Sequence, residues 1–259
     1  MMENIVFTDL EQDYIDFFGV SQKYFIDRVK TQGDWNNFRR RFFRNANTVS
    51  REDLYNLYKH EYYSNRCTAV ITKTWFRDLE KENKNLFEAV IIGRKLHPFN
   101  AGKKALDYGC LWGFYGTQLA TWGYDVTLMD IPHGFFEFLE YLIIKYKVPN
   151  IKCKPITVNE DSIEGTYDYI VCSDVLEHCY DPEHALKQLV SHLKDDGYMF
   201  LMTWFDDGKG ADPSHLRRNT EKYQDSKYAF GLFNECGLIS TTPEKPHNEL
   251  QHLFRKRRI

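Results

Sequence analysis

Between Ala105 and Asp130 the chain reads ALDYGCLWGFYGTQLATWGYDVTLMD, and this stretch narrows the choice of folds more than any other. A short apolar run ends in an acid, Asp107, and a glycine-bearing turn then opens a helix. Gly123 closes that helix, as a residue at ease in the left-handed region does at a helix C-terminus. A second apolar run, Val126 to Met129, stops at Asp130. Strand, turn, helix and strand in this order make the building unit of an α/β sheet. The glycines stand where backbone must approach a ligand at the head of a helix.

The charges say which ligand. Asp130 lies about twenty residues beyond the turn, where a carboxylate can accept hydrogen bonds from ribose hydroxyls. That suits any nucleotide-like cofactor. A dinucleotide fingerprint, G-x-G-x-x-G, would fall on Leu111 to Gly116, and its first Gly is missing. Asp107 would also set a negative charge beside a pyrophosphate. A fixed carboxylate near a helix N-terminus better suits a ligand carrying both an ammonium and a carboxylate, such as the methionine end of S-adenosylmethionine (SAM). The sign of one charge favours SAM over NAD.

Here the chain resembles the class I, Rossmann-like SAM-dependent methyltransferases of small-molecule type. Their first motif is commonly D-x-G-C-G-x-G, which Asp107-Tyr108-Gly109-Cys110-Leu111-Trp112-Gly113 matches except at Leu111. Some sixty residues on, Tyr167 to His178 is similar to the family's fourth strand and following loop, with L-E-H at 176–178 and D-P at Asp181-Pro182. The resemblance covers residues 96–259. It implies an α/β fold with a seven-stranded, mostly parallel sheet whose last strand is antiparallel. It implies SAM as cofactor, held by Asp107, Gly109, Cys110, Gly113, Asp130, Ile131, Ser173, Asp174 and Val175, with Asn159 at the adenine amino group. Residues 1–95 would be a helical extension acting as a lid over the acceptor, with Tyr55, Tyr58, Tyr62 and Tyr63 as candidate wall and Trp204 as a further contact. Leu111 either reshapes the loop, narrows the pocket or is a tolerated variant, since Gly at this place permits φ > 0. A relative with weakened cofactor binding, serving as a scaffold, is the alternative this residue raises.

Composition sets outer limits. A 42% hydrophobic and 27% charged chain is ordinary for a globular protein. A formal net charge of −3 argues against broad attraction to nucleic acid or anionic membrane. The six cysteines form no C-x-x-C pair and no His cluster has zinc-ligand spacing, so reduced thiols, no metal and a cytoplasmic location are expected. The opening residues lack the basic and apolar regions of a signal peptide. No apolar run approaches the ~20 residues needed to span a bilayer. A homodimer is compatible with all of this.

Along the chain, apolar spacing predicts helices over 9–18, 35–44 and 79–96, and a capping-box start at Ser50-Arg51-Glu52-Asp53. The 35–44 helix mixes aromatics with four arginines, and its charge is balanced over residues 1–50, which favours a solvated face over an RNA contact. Further on, a helix over 133–147, a strand over 151–158, a strand over 169–172 and a helix from Asp181-Pro182 to about 193 are expected. Asp195-Asp196-Gly197 reads as the turn into a strand over 198–205. A helix over 221–236 and an antiparallel pair at 238–241 and 252–257 follow. The basic run Arg255 to Arg258 reads as protection of a sheet edge.

Methyl transfer from a sulfonium mainly needs alignment and exclusion of water. A hydroxyl acceptor also needs a base, and His serves at neutral pH. His215, on the loop after the fifth strand, and His178, just past the fourth, are the candidates. A structural role for His178, bonding the helix start near Asp181, stays open. Arg217 and Arg218 could hold an anionic group on the acceptor. The loop after the fourth strand lacks both the D/N/S-P-P-Y/F of amino-methyltransferases acting on bases and a Pro-Cys nucleophile pair.

Overall fold

The computed structural model describes residues 9–30, 48–59, 102–111, 113–157, 162–203, 215–223, 226–241 and 250–258. Its centre is one sheet of seven strands: β1 (Lys104–Tyr108), β2 (Asp125–Asp130), β3 (Ile151–Pro155), β4 (Tyr167–Ser173), β5 (Leu193–Thr203), β6 (Leu238–Ser240) and β7 (Leu250–Lys256). They lie in the order β3-β2-β1-β4-β5-β7-β6. The pairs among β1 to β5 are parallel, and β7 runs antiparallel to both β5 and β6. Chain direction across the sheet therefore reverses its winding between β1 and β4. In open α/β sheets that switch leaves a crevice at the carboxyl ends of the strands.

Buried side chains alternate along each central strand. Ala105, Val126, Tyr169, Val171 and Phe200 pack into one apolar layer, while Leu106, Ile170, Cys172, Met199 and Leu201 pack into the other. Period-two alternation with both sides buried is what a sheet covered on both faces demands. The first layer is closed by α4 (Phe114–Thr121) and α5 (Gly134–Lys145). The second is closed by α6 (Pro182–His192) and α8 (Ser226–Glu235), with α7 (Arg217–Tyr223) before it. Asp181 caps α6, its carboxylate accepting from the His184 N–H at 3.0 Å.

Three N-terminal helices are described: α1 (Leu10–Phe18), α2 (Gln22–Lys30) and α3 (Arg51–Lys59). Tyr14 and Phe25 are fully buried, and Tyr14 sets its ring edge against Phe138 of α5. Asp13 is buried beside them, where the Lys145 ammonium and the Tyr146 hydroxyl, the latter at 2.7 Å, both donate to it. Thus α1 and α2 join the core under α5. Helix α3 goes elsewhere. Ser50 opens it, its hydroxyl accepting from the Asp53 N–H at 3.1 Å and donating to the Asp53 carboxylate at 2.7 Å. Its Tyr55 hydroxyl donates to the Ile156 carbonyl just beyond β3, at the carboxyl edge of the sheet.

Most expected elements are found within a few residues. The helices expected over 35–44 and 79–96 lie outside the described residues. The expected helix over 221–236 is two helices, because α7 is held by the turn after β4 while α8 packs under Phe254. Strand β5 begins at Leu193, with Asp196 in the left-handed region and a register shift opposite Tyr167 and Tyr169. The basic run does not guard an edge. Strand β6 pairs outside β7, so Arg255 and Lys256 are interior to the sheet, and Arg257 and Arg258 follow the strand's end. Lys256 donates to the carbonyls of Val190 and Leu193, and Arg255 and Arg258 pair with Asp196. These bonds tie β7 to the corner between α6 and β5.

Candidate active site

The turn after β1 is built on left-handed residues. Gly109 has φ +68°, and a Cβ there would lie 2.3 Å from Cγ2 of Val175 in the loop after β4. Only Gly lets these two strand ends come so close. A Cβ on Gly116 would stand 2.1 Å from Leu128 Cδ2, so Gly116 seats α4 on β2. Leu111 has φ +46°. The Gly-to-Leu departure therefore keeps left-handed backbone, at about 1–2 kcal/mol of steric cost. Its side chain packs against the apolar layer that contains α5.

Two carboxylates hold this turn from beneath. Asp130 ends β2, and its Oδ2 accepts from the Leu111 N–H at 2.6 Å while its Oδ1 accepts from the Ile131 N–H at 2.7 Å. His133 Nε2 lies 3.5 Å from Oδ1, and His133 Nδ1 accepts from the Phe136 N–H to cap α5. Asp107 is 2% exposed and accepts from the Gly116 N–H at 2.8 Å. Burial pushes its carboxyl up to about 7; the Gly116 bond pulls the other way, and the Asp130 charge adds to the rise. Burial first, then the charges of Asp130 and Asp107, hold the buried Cys110 thiol well above its ordinary range.

The loop after β4 forms the opposite wall. Asp174 takes φ +54°, and its N–H donates to the Met202 carbonyl at 2.8 Å. Its residue surface is exposed because the crevice is open, yet protein encloses it enough to push its carboxyl up to about 6. Tyr115 of α4 shares a hydrogen bond with Ser173, and its ring is tilted against Phe200 with centroids 5.6 Å apart. Asp174 is thus more open than Asp107, the acid expected at the methionine end, which is engaged with the turn.

Past Val175 a 3-10 turn, Leu176–His178, carries a second group of side chains. Glu177 is fully buried and accepts from the Thr203 hydroxyl at 2.8 Å. His178 closes this turn, ahead of the α6 start that Asp181 caps. Its Nδ1 lies 3.3 Å from the Tyr58 hydroxyl of α3, and its ring meets that of His215 edge-on with centroids 4.8 Å apart. His215 is set in place by its neighbours. The Leu216 N–H donates to the Glu177 carbonyl at 3.2 Å, and the buried Asn219 amide donates to the Cys179 carbonyl at 2.8 Å. Beside them the Tyr180 ring lies between the guanidinium groups of Arg51 and Arg218. Helix α3 is fastened there to the far wall of the crevice.

The structure therefore brings the expected cofactor residues Asp107, Gly109, Cys110, Gly113, Asp130, Ile131, Ser173, Asp174 and Val175 to one carboxyl edge, and joins His178 with His215. Arg217 is on the outer surface, its Nε donating to Glu221 at 2.6 Å. Asn159, Tyr62, Tyr63 and Trp204 lie outside the described residues. Glu177, Thr203 and Tyr180 were not singled out by sequence, since an acid inside an L-E-H run carries no sign that it turns inward.

The sequence profile of a family described as a methyltransferase domain matches residues 78–255. The chain belongs to this family. A ubiquinone biosynthesis O-methyltransferase of Acinetobacter baylyi is 32% identical over 105 residues, 40% of this chain and 44% of that one. The namesake from Chromobacterium violaceum is 29% identical over 108 residues, 41% and 47% of the two chains. The chain thus spans less than half the length of these curated relatives. An O-methyltransferase family protein from Burkholderia thailandensis superposes with a TM-score of 0.56 at 10% identity, over 95% of this chain and 72% of that one. At that identity the likeness is one of fold. The same holds for the [4+2]-cyclase SpnF, at a TM-score of 0.50 and 13% identity over 65% of this chain and 60% of that one. The chemistry of this edge fits the SAM that the resemblance implies: the Asp130 carboxylate ends β2 and the exposed Asp174 follows β4. Among the described residues no helix is long and apolar enough to cross a membrane.

Proposed function

We propose that the chain is a SAM-dependent O-methyltransferase acting on a hydroxyl of a small biosynthetic molecule. The observation that carries this is the continuity of the two side-chain groups along one edge. Asp130 and the left-handed turn are at one end, and His178 and His215 are at the other, joined by the Ser173-Asp174-Val175 loop. SAM supplies a methyl group on a positive sulfur, which leaves the protein to align it and keep water out. Asp130 accepts from the ribose hydroxyls. Asp174, with Asp107 behind it, balances the ammonium. The imidazoles of His178 and His215 deal with the proton of the acceptor hydroxyl. In this reading α3 belongs to a cover over the acceptor, α1 and α2 belong to the core under α5, and the methyltransferase sheet forms the cofactor half. The names of the curated relatives favour oxygen over nitrogen as the methyl acceptor.

Isothermal titration with SAM and with S-adenosylhomocysteine tests the cofactor half directly. Binding of one molecule per chain is expected, with Kd in the micromolar range, about −8 kcal/mol. A folded protein that takes up neither ligand at millimolar concentration would refute the proposal.

A further inference from the structure

We propose that Glu177, His178 and His215 form a binding site for one divalent transition cation of the zinc and cobalt class. One ligating atom from each residue lies within 4.8 Å of the other two. Ligands at about 2.1 Å around a tetrahedral ion stand roughly 3.4 Å apart, so small side-chain rotations close the shell. Two imidazoles and one carboxylate suit zinc, cobalt, nickel or ferrous iron, whereas magnesium and calcium prefer all-oxygen shells.

The surroundings favour a cation on three counts. A fully buried carboxylate favours positive charge nearby, and Glu177 also accepts from the Thr203 hydroxyl at 2.8 Å. Two imidazoles side by side offer neutral nitrogen donors that one shared cation can join to the Glu177 carboxylate. Metal-binding histidines usually engage their second nitrogen with an outer partner that fixes the ring. Tyr58 engages Nδ1 of His178 in this way, its hydroxyl 3.3 Å from the ring nitrogen. The ligands are also positioned by backbone, through the Leu216 and Asn219 bonds to the 177–179 turn. Both imidazoles are half-buried, so the ion would keep open positions toward the crevice.

What fills those positions rests on the proposed methyl transfer. With the ion bound, His178 and His215 act as its ligands in place of bases, and a hydroxyl on the acceptor would ionise more readily beside the ion, its proton passing to solvent water. Binding of the ion itself rests only on the three side chains.

The test uses the whole chain after dialysis against a chelator. Cobalt(II) titration is expected to give one equivalent bound, a visible absorption change, and displacement by zinc but not by magnesium. His178→Ala, His215→Ala and the near-isosteric Glu177→Gln should each weaken cobalt binding at least tenfold, with folding checked by circular dichroism. A measurement without variants accompanies it. Zinc should protect positions 178 and 215 of the unaltered chain from diethyl pyrocarbonate, read by mass spectrometry. No cobalt or zinc uptake, or modification at both positions unchanged by zinc, overturns the site. SAM titration on the same sample separates the two proposals. SAM binding without metal sinks only the metal site, and metal binding without SAM sinks only the methyl-transfer reading.

Discussion

Asp107→Asn is expected to be more stable than the unaltered chain at pH 8 and to lose that advantage by pH 4. The carboxyl's ordinary value is 3.8, and burial lifts it to about 7 in the folded protein. A raised acid makes the folded state bind the proton more tightly than the unfolded chain does. Stability therefore falls as pH climbs from about 4 to about 7, and the penalty is complete above that window. A shift of this size corresponds to about 4 kcal/mol. The amide oxygen of Asn can still accept from Gly116 N–H, so the turn keeps its bond while the buried charge is gone. Denaturant melts at pH 4, 6 and 8 would show two curves that converge on the acid side. Curves that stay parallel across the range would mean that Asp107 titrates as an ordinary surface acid. If the ammonium of SAM draws on this charge, the same variant binds SAM more weakly while being harder to unfold.

The second large effect belongs to Asp130. Its two oxygens each hold a backbone N–H, and hydrogen bonds to a charged group are worth about 1.5–3 kcal/mol apiece. Asp130→Ala should lower SAM affinity by a hundredfold or more, about 2.7 kcal/mol, because the ribose acceptor and the support of Leu111 go together. Stability should drop as well, since two partly buried N–H groups lose their partner. Asp130→Asn, which keeps one acceptor oxygen, should fall between. An alanine variant that melts normally and binds SAM within threefold of the parent would remove Asp130 from the cofactor site.

Much of this architecture could be read in one dimension because parallel strands buried on both faces leave unbroken apolar runs. Val126 to Met129 and Tyr169 to Cys172 are such runs, and the acids ending β1 and β2 follow from where ligands meet such sheets. The antiparallel β7 was expected as well, but from the resemblance to the methyltransferases and not from its own residues. Pairings made by packing across the strand ends were not. Tyr58 reaches His178 over 120 positions, and Thr203 reaches Glu177 over 26. No local spacing encodes either. The basic run misled for a related reason. Sequence shows charge at 255–258, but only the sheet order shows that β6 lies outside it. Leu111 could be flagged from sequence and not interpreted, because its backbone angle and the direction of its side chain are both needed.

The turn also contains its own reporter. Cys110 sits under Asp107 and Asp130 with its thiol held protonated, and alkylating reagents act on the thiolate. In the closed molecule it should stay silent toward iodoacetamide, and it can be labelled only during excursions in which the loop parts from the strand ends. The labelling rate at this one sulfur then clocks how often the crevice breathes, and a molecule that seats itself there should slow that clock.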